Sequence, residues 1–207
     1  MKKINVLAIM GLIALTSISA KAQKITEGDK DLSFLKGQTK FNIEYDYSDM
    51  VIGKDAKPEA DYLKEKTAKA NEKQPGKGDR WAEKWKNDRT AMYEPMCEDL
   101  LNKMLFKGKT NATAAKNVKD AKYTIRIKTV VTEPGFNSMV MKVNPYCKFE
   151  ISWVEVATGK VLAKGELTAM GVNMGGSDWD FDQDNSIKEC YAKCGKEIGA
   201  TMAKKMK

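Results

Sequence analysis

The chain has 207 residues, with 36 Lys plus Arg against 28 Asp plus Glu, four Cys and no His, and its formal net charge is +8. The absence of imidazole excludes Ser-His-Asp and Cys-His catalysis, His-ligated metals and a His-based pH switch. A hydrophobic content of 42% is ordinary for a folded chain, so wholesale disorder is excluded as well.

The N-terminus has the layout of a secretory signal peptide. Two lysines precede an apolar run that ends at Ile18, and small residues follow before Gln23. The run is too short for a comfortable membrane span and no second one follows, so we expect no transmembrane segment after cleavage. An uncleaved anchor helix is the alternative. We expect cleavage after Ala22, which removes residues 1–22 and leaves a periplasmic or secreted single domain of residues 23–207.

Removing the signal peptide lowers the net charge from +8 to +5, because it contains Lys2, Lys3 and Lys21 and no acid. The remaining lysines are interleaved with acids, which is typical of a solvated surface. Nucleic-acid binding needs clustered cations with exposed aromatic side chains, and we therefore expect no nucleic-acid partner.

The first half of the mature chain contains a strand, a charged segment and a long helix. Alternation over 41–47 predicts a half-buried strand. Residues 54–78 are rich in charge and poor in apolar side chains, and we expect a mobile excursion, with a short helix after Pro58 as an option. A long helix from Asp79 to Gly108 should be kinked or divided at Pro95.

The second half predicts strands and a closing helix. Tyr123–Val131 alternates, and Cys147–Trp153 and Val161–Ala169 flank Ala157-Thr158-Gly159-Lys160 as a hairpin. The run Ser186-Ile187-Lys188-Glu189 matches a capping box for the last helix. In that helix Gly195 and Gly199 should allow a close approach to the sheet. The element order predicts an α+β fold, a two-layer sandwich with a mainly antiparallel sheet of four to five strands and two long helices on one face.

These segments carry a resemblance. The Tyr123–Val131 strand, Glu133-Pro134-Gly135-Phe136-Asn137, the Ala157–Lys160 hairpin and the helix from Tyr191 to Gly199 resemble an uncharacterised family of secreted proteins from Bacteroidetes. The topology is also similar to the N-terminal domain of TolB and to lipoproteins that activate penicillin-binding proteins. The second resemblance implies an accessory role in the envelope, although this chain has no cysteine near the cleavage region for lipidation.

Four cysteines lie in the mature chain, and exported chains meet oxidants. Cys190 and Cys194 are four residues apart on the predicted helix, which holds Cβ atoms about 5–6 Å apart, whereas a disulfide needs about 3.5–4.5 Å. Bridges from Cys97 and Cys147 to that pair are therefore the disulfide candidates, with the choice of partner open. The alternatives are four small buried apolar residues or a Cys-only zinc site.

The most acidic run is Asp178-Trp-Asp-Phe-Asp-Gln-Asp. Its carboxylates at Asp178, Asp180, Asp182 and Asp184, with Glu189 following, resemble the ligand spacing of a calcium-binding loop. Gln183 replaces the turn glycine of the standard motif, so only a weak calcium site is a candidate, and we expect no other cofactor. The alternative is a structural loop whose acids face water ahead of a helix N-terminus.

No catalytic constellation is visible, so we do not expect an enzyme. The leading hypothesis is a periplasmic or secreted accessory protein that binds another envelope component, a protein or a glycan, through the sheet face or the loops. Phe136 is the candidate for partner contact. The alternatives are a calcium-stabilised ligand-binding protein and a carboxylate-dependent hydrolase, which would need two carboxyl groups in different environments.

Overall fold

The computed structural model describes residues 31–137, 142–172 and 179–207. The predicted signal peptide and its cleavage site lie outside these residues. In the part that is described, no helix is long and apolar enough to cross a membrane. The elements in chain order are β1 (Lys40–Asp46), β2 (Val51–Ile52), β3 (Lys57–Pro58), α1 (Glu59–Lys73), α2 (Lys77–Asp88), α3 (Glu94–Lys107), β4 (Thr113–Lys116), β5 (Tyr123–Glu133), β6 (Phe136–Asn137), β7 (Lys142–Val143), β8 (Tyr146–Glu155), β9 (Val161–Met170) and α4 (Trp179–Lys205).

A mixed sheet forms the centre of the fold, with its longer strands in the order β4-β1-β5-β8-β9. Strands β5, β8 and β9 are antiparallel neighbours, whereas β1 lies parallel to both β4 and β5. The short β2 runs parallel to the far end of β5 and pairs with β3. The predicted α+β class is confirmed. The sequence did not predict the parallel pairing of β1 with β5. This pairing joins segments about eighty residues apart, so it leaves no local pattern in the sequence.

The β8–β9 hairpin has the predicted position. Tyr146 opposes Met170 at the open end, and Val154 opposes Val161 next to the turn. Buried and exposed residues alternate along β9, as expected for a strand with one covered face. Gly159 has φ +68° in the connection, a conformation that glycine adopts without steric strain.

Helices α3 and α4 cover one face of this sheet, and the apolar residues of both layers form one core. The opposite face is solvated: Arg126 of β5 and Glu44 of β1 pair across it at 3.1 Å. The two-layer arrangement therefore follows from the burial pattern. The largest core side chains are Trp153, Tyr191, Phe41, Phe149, Leu35, Ile43, Leu101, Leu105, Ile125, Ile127, Ile151 and Leu167.

The predicted division at Pro95 takes the form of a π turn. Residues Arg89–Tyr93 widen the helix between α2 and α3, and the Glu94 N–H bonds to the Arg89 carbonyl, five residues back. Proline has no N–H, and its ring collides with the preceding turn of an α-helix, so a wider turn relieves the conflict. The helix ends at Gly108, as predicted.

The charged segment 54–78 contains β3 and α1, with Pro58 directly before the helix. Helix α1 packs on α2 where Gly78 lies so close to Thr67 that an added Cβ would be 2.1 Å from the Thr67 carbonyl oxygen. The Gly78 N–H also donates to Asn71 Oδ1 at 2.7 Å. The mobility of this segment stays a prediction.

The last helix differs from its prediction at two points. It begins at Trp179 instead of Ser186, and the Ser186 hydroxyl donates to the Val172 carbonyl instead of capping the helix. Acids in a first helical turn are favoured by the helix dipole, so the aspartate run extends the helix. Gly195 and Gly199 face α3 rather than the sheet, with added Cβ atoms 1.9 Å from the Cys97 carbonyl oxygen and 2.4 Å from that of Leu101.

Replacing Gly195 with Ala tests this helix contact. Alanine alone would stabilise a helix by about 1 kcal/mol relative to glycine, but overpacking against backbone costs about 1–3 kcal/mol or more. We expect Gly195→Ala to lower the free energy of unfolding by about 1–3 kcal/mol in urea titration. Lys196→Ala, on the exposed side of the same turn, is the control, and a more stable Gly195→Ala would contradict the close packing.

Candidate anion-binding pocket

A cavity of about 550 Å³ lies between α1 and α2, and cationic side chains dominate its lining. None of its lining residues is acidic. A volume of this size is in the range of small-molecule sites. The lining residues are Lys66, Lys69, Ala70, Lys73, Gln74, Lys77, Arg80, Trp81 and Lys84.

The spacing of the cations explains why they converge. On α1 they occur at 66, 69 and 73, and on α2 at 77, 80 and 84, so both helices repeat the same i, i+3, i+7 pattern. Residues at these intervals share one face of a helix. Because α1 and α2 lie side by side, the two rows line one cavity.

Aromatic side chains form a rigid wall beside these cations. Trp81 lines the cavity, with its ring centroid 6.0 Å from that of Tyr62 and 5.7 Å from that of Trp85. Trp85 is buried, and its indole N–H donates to Glu59 at 2.6 Å. Glu59 also pairs with Arg89. The indole of Trp81 therefore has fixed neighbours on its protein side.

One pocket lysine reaches into a buried acidic pair. Lys84 Nζ lies 2.6 Å from Asp88 Oδ2 and also contacts Asp184 of α4. The aspartate side chains are only 7% and 8% exposed, while Lys84 is 39% exposed. Tyr93 lies nearby with a buried hydroxyl that has no hydrogen-bond partner among the described residues.

The pKa values in this cluster follow from burial and charge. Burial raises the pKa of Asp184 to about 6, with repulsion from Asp88 adding to it and Lys84 opposing it. Burial lowers the pKa of Lys84, but its hydrogen bonds to Asp184 and Asp88 outweigh that effect and leave it raised. Burial, then the charges of Asp184 and Asp88, raise the pKa of Tyr93. Lys84 is thus charged.

The predicted calcium residues are not brought together in the described part of the chain. Asp178 lies outside it, Asp180 and Asp182 are described only as backbone of α4, and Asp184 is buried against Lys84. From Trp179 onward the expected loop is the first part of α4, which corrects the loop interpretation for those residues. Among the described residues no group of three or more Asp, Glu or Cys could hold a metal ion. Calcium binding at the remaining residues stays a prediction.

The cysteine candidates are all buried free thiols, so the predicted disulfide is absent from this structure. The thiols are neighbours in two pairs that the sequence left open, Cys147 of β8 with Cys190 and Cys97 of α3 with Cys194, and neither pair lies at disulfide distance. Burial raises the pKa of the Cys147 and Cys194 thiols well above the usual range.

Phe136 begins β6, and its side chain lies outside the described residues, so its role in partner contact stays a prediction. The turn before it is buried and internally bonded. The Gly135 N–H donates to Glu133 Oε1 at 3.0 Å, and Gly135, with φ +82°, packs on Pro145.

Sequence reasoning missed the cationic pocket and Asp88. The equal spacing of the two cation rows carries the signal, but the high charge and low apolar content of residues 54–78 predict a mobile excursion instead. Asp88 and Asp184 form a buried carboxylate pair on the same lysine, Lys84, and neither aspartate lines the pocket.

No family model and no curated protein matches the sequence. Solved structures that this chain matches include a PelC dodecamer from Paraburkholderia phytofirmans, at 12% identity over 82% of this chain and 93% of that chain, with a TM-score of 0.33. A DUF330 protein from Xanthomonas campestris matches at 8% identity over 81% of this chain and 84% of that one, with a TM-score of 0.38. At these values the likenesses assign neither a family nor a function.

The raised pKa of Asp184 predicts a pH-dependent stability. A carboxyl group that binds its proton more tightly in the folded state contributes stability at low pH, and this is lost as pH rises from about 4 through about 6. Relative to wild type, Asp184→Asn should therefore gain about 1–2 kcal/mol of unfolding free energy across that window, a value reduced for partial solvent screening. Urea titrations from pH 4 to 8 measure the difference, and parallel curves for the two proteins would contradict the assignment.

Proposed function

We propose that this chain is an exported, non-enzymatic binding protein that holds an anionic component of the cell envelope in the pocket between α1 and α2. The observation that carries the proposal is the convergence of six cationic side chains on one cavity with no acidic lining residue. Like charges this close repel one another, and an anion in the cavity would replace that repulsion with attraction.

The class of ligand follows from the charge and spacing of the side chains that line the pocket. Lysine and arginine donate charge-assisted hydrogen bonds to carboxylate and phosphate oxygens. Successive cations along each helix are about one turn, or about 5.4 Å, apart, which suits a ligand whose charges repeat along a chain. The flat indole of Trp81 offers an apolar surface for a sugar ring. An acidic glycan segment, with one carboxylate on each ring, combines both features.

The pocket is a better candidate than the sheet face that the sequence suggested. On the exposed sheet face and its edges, three cations have acidic partners: Arg126 pairs with Glu44, Lys128 with Asp49, and Lys40 with Asp120. A surface that neutralises itself gives little attraction for a charged partner.

Calorimetric titration with oligogalacturonate tests the pocket. Lys73→Glu combined with Arg80→Glu reverses two charges beside the ligand, and at about 1 kcal/mol for each reversal the affinity should fall at least about ten-fold. The matched control, Lys103→Glu with Lys164→Glu, makes the same charge change on the exposed surfaces of α3 and β9. Trp81→Ala separately tests the apolar wall. An equal loss in both double variants would indicate only non-specific attraction.

We further propose that export converts the thiol contacts into two disulfides, Cys97–Cys194 and Cys147–Cys190. Each bond joins two thiols with loss of two protons and two electrons, which a protein disulfide of the exporting compartment accepts. Because the folded thiols are buried, oxidation should occur before folding is complete. The bonds would tie α4 to both α3 and β8.

Peptide mapping of protein secreted with its signal peptide should find these two links and no free thiol. Reduction should lower the free energy of unfolding by about 2–5 kcal/mol. Protein made in the cytoplasm supplies the reduced control. Four titratable thiols in the exported protein, or a different connectivity, would contradict the pairing.

A further inference from the structure

Lys84 belongs at once to the cationic pocket and to the buried carboxylate pair. We propose that Asp184 controls the pocket through Lys84, so that the anion binds more tightly when Asp184 carries a proton and more weakly when it is ionised. This inference rests on the proposed function, since it describes how the same site is regulated.

The geometry leaves Lys84 between two competing sets of partners. Its side chain is 39% exposed at the pocket, while Asp88 and Asp184 hold its ammonium from the buried side. An ammonium group has three donors, and two of them are directed to these carboxylates. An anion entering the pocket therefore shares a lysine whose charge is already compensated.

The charge of the cluster depends on one proton. With both carboxyl groups ionised, Lys84, Asp88 and Asp184 sum to −1, and with Asp184 protonated the sum is zero. Tyr93 of the π turn also interacts electrostatically with Asp184. Tyr93 in turn has two titratable neighbours, Cys147 of β8 and Tyr47, which follows β1. Burial raises the pKa of Tyr93, Cys147 and Tyr47, so these groups stay neutral. Among the described charged groups that shift the pKa of Asp184, Lys84 is the positively charged one and Asp88 is the negatively charged one.

Protonation of Asp184 therefore makes the region beside the pocket more positive by one charge. At separations of several ångströms and an effective dielectric constant between those of protein and water, one charge changes the affinity for an anion about five-fold. The pKa of Asp184 near 6 sets where this change occurs. Linkage requires the reverse effect as well: a bound anion must favour the protonated form of Asp184.

The test is the affinity for oligogalacturonate, measured by calorimetry from pH 5 to 8, a range in which the probe keeps its charge. Wild type should bind about five-fold more tightly at the low end. Asp184→Asn, which is neutral and nearly isosteric, should bind at the low-pH affinity of wild type throughout. Asp88→Asn removes the repulsive neighbour of Asp184, so the change in affinity should move to lower pH. Asp99→Asn, on the exposed surface of α3, is the control and should behave as wild type.

The outcomes separate the two proposals. Binding that depends on Lys73 and Arg80 but has the same pH dependence in wild type and Asp184→Asn would overturn the coupling and leave the proposed function in place. Absence of binding at every pH would overturn both. Circular dichroism of each variant at both ends of the pH range shows whether a loss of binding reflects a loss of fold.

Discussion

The contact between α3 and α4 is the constraint on which the other features depend. Gly195 and Gly199 bring the backbone of α4 against the carbonyl oxygens of Cys97 and Leu101, at a separation that no side chain could occupy. This contact fixes the layer that covers the sheet. It also brings Cys194 to Cys97, while Cys190, one turn earlier, meets Cys147 on β8. One close helix crossing thus determines both thiol contacts and the depth of the core.

The position of the pocket depends on the same helix layer, formed by α3 and α4. Helix α2 continues into α3 through the π turn, without a loop, so the packing of α3 on α4 also limits where α2 can lie. Lys84 and Asp88 of α2 then meet Asp184 of α4, and this is a charged contact between the pocket and the core. Buried carboxylates without a partner would be strongly unfavourable. Lys84 provides the partner for both carboxylates. It therefore connects the solvent-facing pocket to Asp184 inside the protein.

The sequence predicted features whose cause is local and missed those whose cause lies far along the chain. The β8–β9 hairpin was predictable because alternation and a glycine turn are encoded within about 25 residues, and the break at Pro95 because proline acts on its own helix. The start of α4 was misjudged because Ser186 and Glu189 form a capping pattern that competes with the helix-favouring acids before it. The parallel placement of β1 and the partnership of Asp88 with Asp184 depend on distant segments, for which a single sequence gives no periodic signal.

The positive charge of the predicted mature chain is concentrated at the pocket between α1 and α2. The predicted mature chain has a net charge of +5, yet six cations line this one cavity. The remainder of that chain therefore has a net charge of −1, so the six side chains between α1 and α2 account for the whole positive excess of the predicted mature chain. An attraction spread over the whole surface would be screened by salt within about 8–10 Å. A cluster on two packed helices beside a fixed indole instead acts at contact distance, where the arrangement of charges on the ligand decides the affinity. The acidic run of the sequence ends at Asp184. Asp184 acts on this pocket from its buried side, through its ion pair with Lys84, the lysine that lines the pocket.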